Sequence, residues 1–181
     1  TGPTASDVLN SWDEHAIELV LRGFGEEKSS KKIAEMIVKR REVKPFKTTF
    51  DLVGTVLEVK PRSWRDKIHP ATKTFQALRI ATNDELTSLE QGLEKGFEAL
   101  ASGGRFTVIS FHSLEDRIIK QFFQNKVKAK LARQISNLPA RLAEAPAKRA
   151  GKAGKPITPS AEEIKANPRS RSAKLRVIEK V

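Results

Sequence analysis

GGRFTVISFHSLEDRIIKQFF, residues 103–123, is the stretch on which the fold turns. The glycine pair breaks whatever precedes it. RFTVISF then runs as a short apolar segment without polar alternation, which predicts a strand buried on both faces. Ile118, Ile119, Phe122 and Phe123 recur at helical spacing, so a helix follows. Upstream, Phe75, Leu78, Leu86, Leu89, Leu93, Phe97 and Leu100 form a stripe that predicts one long helix over 71–100. Helix, glycine turn, strand, helix is an α/β unit.

The seam between strand and helix holds a polar cluster. Ser113 and Asp116 stand at capping-box spacing, so Ser113 is read as the helix cap with Asp116 answering from the third position, and Glu115 suits the helix dipole. His112 is not explained by capping. It lies just past the carboxyl end of the strand, where ligand crevices of α/β sheets form, and reads as a pocket-wall residue beside Ser110, Phe111 and Ser113. A serine hydrolase is excluded, because His112 and Ser113 are chain neighbours and no Gly-x-Ser-x-Gly elbow is present.

Before the connector PRSWRDKIHP at 61–70, the chain reads as a small helical domain. Thr4 with Asp7, Ser11 with Glu14 and Thr48 with Asp51 match the capping box, and apolar residues follow at helical spacing. GFGEE from Gly23 has a phosphate-loop look, but no strand precedes it and a helix end is the better reading. Past the α/β unit, residues 126–157 are rich in Lys, Arg, Ala, Gly and Pro. They read as a mobile basic loop, either solvated or a nucleic-acid arm. Ser160 with Glu163 caps a short helix, and SAKLRVIEKV reads as a final strand.

The 181 residues carry a formal charge of +12 and no cysteine. Such a balance favours a polyanionic partner, because each phosphate neutralised releases counterions. Without cysteine there is no thiolate metal site and no thiol nucleophile, and no metal is expected. No apolar run reaches the length of a membrane span, and no signal-peptide pattern opens the chain. The reading is a soluble, cytoplasmic protein with no membrane partner. With Tyr absent and Phe largely at core spacing, the composition gives no support to a base-stacking platform. Arg169, Arg171, Lys174 and Arg176 crowd a turn with no neighbouring acid, a natural phosphate clamp. Lys73, Gln76 and Arg79 recur on one helix side, by default a solvated face.

Three stretches together, IHPATKTFQALRIATNDEL, GGRFTVISFHSLEDRIIKQFF and KPITPSAEEIKANPRSRSAKLR, closely resemble the bacterial small-subunit ribosomal RNA cytidine N4-methyltransferase family. The resemblance implies S-adenosylmethionine as methyl donor and the exocyclic amine of a decoding-region cytidine as acceptor. It implies the C-terminal part of a class I, Rossmann-like methyltransferase sheet interrupted by an all-α insertion. Residues 1–66 would be the insertion and 69–181 the last part of the catalytic domain, with Gly103-Gly104 feeding the fifth strand. Ribosomal RNA would be the partner, with backbone contacts from His69, Lys73, Arg79, Asn167, Arg169, Arg171 and Lys174.

The family's cofactor loop and its Asp- or Asn-Pro-Pro-aromatic motif are not found in the chain. No cofactor-binding or catalytic residue is therefore assigned within it, and the chain alone is expected to be inactive. TGPTASDVLN opens without methionine, which points to a piece of a longer protein. An apolar strand edge would then pair with the missing half or with a second copy. The rival readings are a non-catalytic basic module that binds RNA or ribosomal particles and, more weakly, a helical interaction adaptor.

Overall fold

The computed structural model describes residues 2–135 and 155–181, in two compact units, Thr1–Glu85 and Leu86–Val181.

The first unit is built from α1 (Ala5–Ser11), α2 (Glu14–Gly25), α3 (Ser30–Val43), α4 (Thr49–Val59) and α5 (Thr72–Asn83). The capping boxes expected at Thr4/Asp7 and Thr48/Asp51 both form, each hydroxyl accepting from the third amide while the carboxylate returns to the cap. The Ser11/Glu14 box does not. Asp13 caps α2 by accepting from Ala16 N at 2.8 Å, and Ser11 Oγ turns back to Asp7 O. The GFGEE segment ends α2 as expected, with Glu26 in the left-handed region at φ 47°.

Apolar residues at helical spacing, including Ile17 and Leu21 of α2, Ile33 and Ile37 of α3, Leu52 and Val56 of α4 and Ala77 and Leu78 of α5, close one core. Two polar groups at its margin are paired: the buried Glu27 carboxylate takes Lys60 at 2.8 Å, and Arg41 donates to the α1-terminal carbonyls of Leu9 and Trp12. The tightest approach is at Gly25, where a Cβ would lie 2.7 Å from Lys73 O and 3.2 Å from Ala77 Cβ.

The second unit comprises α6 (Glu85–Glu98, from Leu86 onward), β1 (Arg105–Ser110), α7 (Ser113–Lys128), β2 (Ala132–Gln134), α8 (Ala161–Ala166) and β3 (Lys174–Lys180). The sheet order is β1-β3-β2, with β3 antiparallel to both neighbours and Arg105 opposite Glu179 through to Ser110 opposite Lys174. β1 and β2 therefore run parallel, joined through α7, with the last strand inserted between them. Phe106 and Val108 of β1, Ile178 of β3 and Ala132 of β2 pack on Leu93 and Phe97 of α6 and Ile119, Phe122 and Phe123 of α7. Edge-to-face ring pairs at 6.0–6.4 Å knit this layer. Gly103, at φ 77°, turns the chain into β1 beside the end of β3, and Lys180 Nζ donates to the carbonyls of Phe97, Glu98 and Leu100 at the end of α6.

Three further expectations are corrected. The single helix over 71–100 is two, because Asp84 takes the left-handed region at φ 48°. The apolar stripe is thereby shared, Phe75 and Leu78 going to the first core and Leu89, Leu93 and Phe97 to the second. Among the described residues β1 is covered on one face only: Arg105, Thr107 and Ile109 are exposed, Ile109 by 55%, since α6 and α7 lie on the same side. In the 126–157 stretch α7 continues to Lys128, β2 follows at 132–134 and Ile157 bridges to Leu175; residues 136–154 lie outside the described residues. The packing boundary between the two compact units falls after Glu85, and α5 packs on α2. SAKLRVIEKV forms the expected strand, and Ser160 caps α8. Among the described residues no helix is long and apolar enough to cross a membrane.

Gly25→Ala is expected to destabilise the protein by about 1–3 kcal/mol, since backbone rather than a flexible side chain stands in the way. Gly23→Ala, with nothing within 4 Å, is expected to stabilise by about 0.5 kcal/mol through helix propensity. Urea unfolding of the two variants checks both signs.

Candidate functional site

The strand-end corner is made by the end of β1, the start of α7 and the turn that enters β3. Its cap is shifted by one residue from the expected pair. His112, not Ser113, is the N-cap, with Nδ1 accepting from Glu115 N at 3.4 Å. Glu115 Oε2 accepts from Phe111 N at 2.8 Å and His112 N at 3.3 Å. The accepting Nδ1 places the neutral ring's proton on Nε2, which is buried and 3.3 Å from Glu115 Oε1 but without hydrogen-bond geometry. His112 thus serves the helix start, and the pocket-wall reading does not account for it alone. Phe111 is 56% exposed, Ser113 is exposed, and Ser110 is buried, its Oγ donating to Lys174 O at 3.5 Å.

Asp116 is released from capping to another task. Its Oδ1 accepts from Arg176 Nε at 2.7 Å, and its Oδ2 from Arg176 Nη2 at 3.2 Å and Lys174 Nζ at 3.1 Å. Strand periodicity sets Lys174 and Arg176 on one face of β3, toward α7. Burial pushes the Asp116 carboxyl up. The hydrogen bonds from Arg176 and Lys174, with their charges, outweigh that and hold it below the ordinary carboxylate value. The expectation that this arginine-rich run has no acid to pair it is therefore corrected for Lys174 and Arg176. A hint of Asp116 was present in the sequence: two cations two residues apart on a strand face require an anion when that face is covered.

The turn before β3 keeps its two arginines for solvent. Pro168–Ser172 forms a 3-10 turn in which Asn167 Oδ1 accepts from Arg169 N at 3.2 Å and the buried Ser170 donates to Asn167 O at 2.8 Å. Arg169 and Arg171 are exposed and have no ion-pair partner among the described residues. Asn167 is thus a turn former, and Lys174 is anchored 39% exposed beside Asp116. The other expected RNA contacts lie in the first unit. Arg79 is held bidentate by Glu85 at 2.8 and 3.0 Å, Lys73 Nζ donates to Glu26 O at 2.9 Å, and His69 Nδ1 accepts from Ala71 N at 3.2 Å.

The described residues do not fit a nucleoside cofactor. No strand among them is followed by a glycine-rich turn, and the Phe111 and His112 amides just before α7 already donate to the Glu115 carboxylate. Among the described residues no group of three or more His, Asp or Glu could hold a metal ion.

A family model described as the MraW methylase family matches residues 1–181. The chain belongs to that family. Among its relatives is a ribosomal RNA small subunit methyltransferase H of Pelobacter propionicus, 44% identical over 182 residues, all of this chain and 58% of that protein. Proteins of the same name from Caldicellulosiruptor saccharolyticus and Heliobacterium modesticaldum are 47% and 48% identical over 98% of this chain, and 57% and 56% of their own length. The chain therefore spans somewhat more than half of the family members it matches, and is a fragment relative to them.

Because Asp116 is held below its unfolded value, its stabilisation is full above about pH 4 and is lost as pH falls through the folded value. Asp116→Asn is expected to cost roughly 2–4 kcal/mol at pH 7, less than a fully buried pair because Lys174 is partly exposed. Denaturant titrations stepped downward from pH 7 should show the stability gap between the two proteins narrowing once the pH is below about 4.

Proposed function

We propose that this chain is the C-terminal part of an S-adenosylmethionine-dependent methyltransferase that modifies the N4 amine of a cytidine in the small-subunit ribosomal RNA decoding region, in the cytoplasm. What supports it is the family match along all 181 residues, with relatives named as small-subunit ribosomal RNA methyltransferases at 44–48% identity. The +12 charge agrees with an RNA partner.

The three-stranded sheet is read as one end of a class I methyltransferase sheet. Its support is physical: among the described residues β1 is an edge strand in the β1-β3-β2 order, and Thr107 and Ile109 lie exposed on the face that α6 and α7 leave uncovered, with Leu175 and Val177 opposite them on β3. A buried sheet needs its edge paired and both faces covered. The missing upstream part of the protein is the proposed cover, and the cofactor site is proposed to lie in it. No chemical step is assigned to residues of this chain. Its part is positioning, which for transfer to a delocalised amine is a large share of the rate. Ser110–Ser113 would wall the base pocket, and Arg169 and Arg171 would take RNA phosphates, since Arg79, Lys73, His69, Asn167 and Lys174 already hold structural partners.

Calorimetric titration of S-adenosylmethionine into this chain, alone and then with the upstream part of its gene product, is expected to show binding only after mixing. Tight binding by the chain alone would overturn the placement of the cofactor site. Small-subunit RNA treated with the full-length protein and digested to nucleosides should contain N4-methylcytidine; RNA binding without that product would favour a non-catalytic module. In the full-length protein, Arg169→Gln with Arg171→Gln is expected to reduce the slope of log affinity against log salt by about 1.4–1.8.

A further inference from the structure

The connector PRSWRDKIHP contributes little to the helical core and nothing to the strand-end corner, yet its shape is defined. Ser63 N donates to Asp66 Oδ2 at 2.7 Å, Asp66 N to Ser63 O at 3.0 Å and Arg65 N to Ser63 Oγ at 3.3 Å. Asp66, the one acid of the stretch, thus turns its carboxylate onto the backbone. Arg62, Arg65 and Lys67 are exposed and have no ion-pair partner among the described residues. Among them stands Trp64, 88% exposed, with the Arg65 guanidinium 4.9 Å from its ring centre.

Single exposed apolar side chains are ordinary. Trp64 is distinguished by its company. A guanidinium over one face of the indole restrains the ring and adds charge beside it, while the other face stays open. An open indole face flanked by unpaired cations is the arrangement that takes a nucleobase by stacking and its phosphates by charge. Only an unpaired base can present its face, so duplex RNA is not the ligand. The shortage of aromatics in the composition argues against a broad platform, and one tryptophan at the tip of a turn escapes that argument.

We propose that Trp64, with Arg62, Arg65 and Lys67, is a stacking site for an unpaired base of single-stranded RNA. The inference deepens the RNA-substrate reading above and rests on it.

The test uses the full-length protein, a labelled short single-stranded RNA and the duplex of the same sequence. Trp64→Ala is expected to weaken single-strand binding about tenfold and leave duplex binding and the salt slope unchanged, while Trp64→Phe keeps most of the affinity. Arg62→Gln and Lys67→Gln should each lower the slope by about 0.7. Wild-type affinity in Trp64→Ala, or an equal loss on single strand and duplex, would overturn the proposal. So would binding to phosphatidylserine vesicles that depends on Trp64 while RNA binding does not. Trp64-dependent RNA binding without N4-methylcytidine formation would uphold this site and refute the methyltransferase reading alone. Methylation with equal affinity in wild type and Trp64→Ala would refute the site alone.

Discussion

The carboxylate of Asp116 ties the first turn of α7 to the start of β3, taking Arg176 through two bonds and Lys174 through a third. Much of the second unit depends on that tie. β3 is the central strand, so its placement sets the register of both β1 and β2. The 3-10 turn carrying Arg169 and Arg171 feeds directly into it. Because Asp116 is committed to β3, the helix start must be capped by its neighbours, and Glu115 and His112 do so. One ion cluster thereby joins sheet order, helix cap and the presentation of two arginines.

Net charge is a poor map of an interface until the partners of each cation are known. Arg41 and Lys180 close helix ends on backbone carbonyls, Lys60 neutralises a buried glutamate, Arg79 is clamped by Glu85, and Arg176 is buried at the corner. Such cations hold the fold and have little left for a phosphate. Arg169 and Arg171 in one unit, and Arg62, Arg65 and Lys67 in the other, remain exposed without ion-pair partners among the described residues. They are examples of the exposed cations among which the proposed RNA reading looks for phosphate contacts.

Ile109 and Phe111 are each more than half exposed on or beside β1, which is a heavy apolar exposure for a finished sheet. The chain spans 56–58% of the relatives' length. On the proposed reading, further strands would pair the β1 edge and elements packed on them would cover the face, without any change to the residues that already pack on α6 and α7.

Local devices were legible where only one pair of residues could satisfy them. Thr4 with Asp7, Thr48 with Asp51 and Ser160 at the start of α8 could be read directly, because a cap needs only three residues and a hydrogen bond. HSLED holds two overlapping pairs at the same spacing, His112 with Glu115 and Ser113 with Asp116, and nothing local separates them. The choice came from Arg176, 60 residues downstream, which draws Asp116 away. The same limit hid the break at Asp84, where one apolar stripe serves two cores, and the bare face of β1, since periodicity records which residues are apolar and not how many layers will cover them. The sequence by itself determined the α/β unit, the family and the polycationic character. Tertiary structure decided which acids cap, which cations are spent on the fold and which side of the sheet stays open, because those depend on partners distant along the chain.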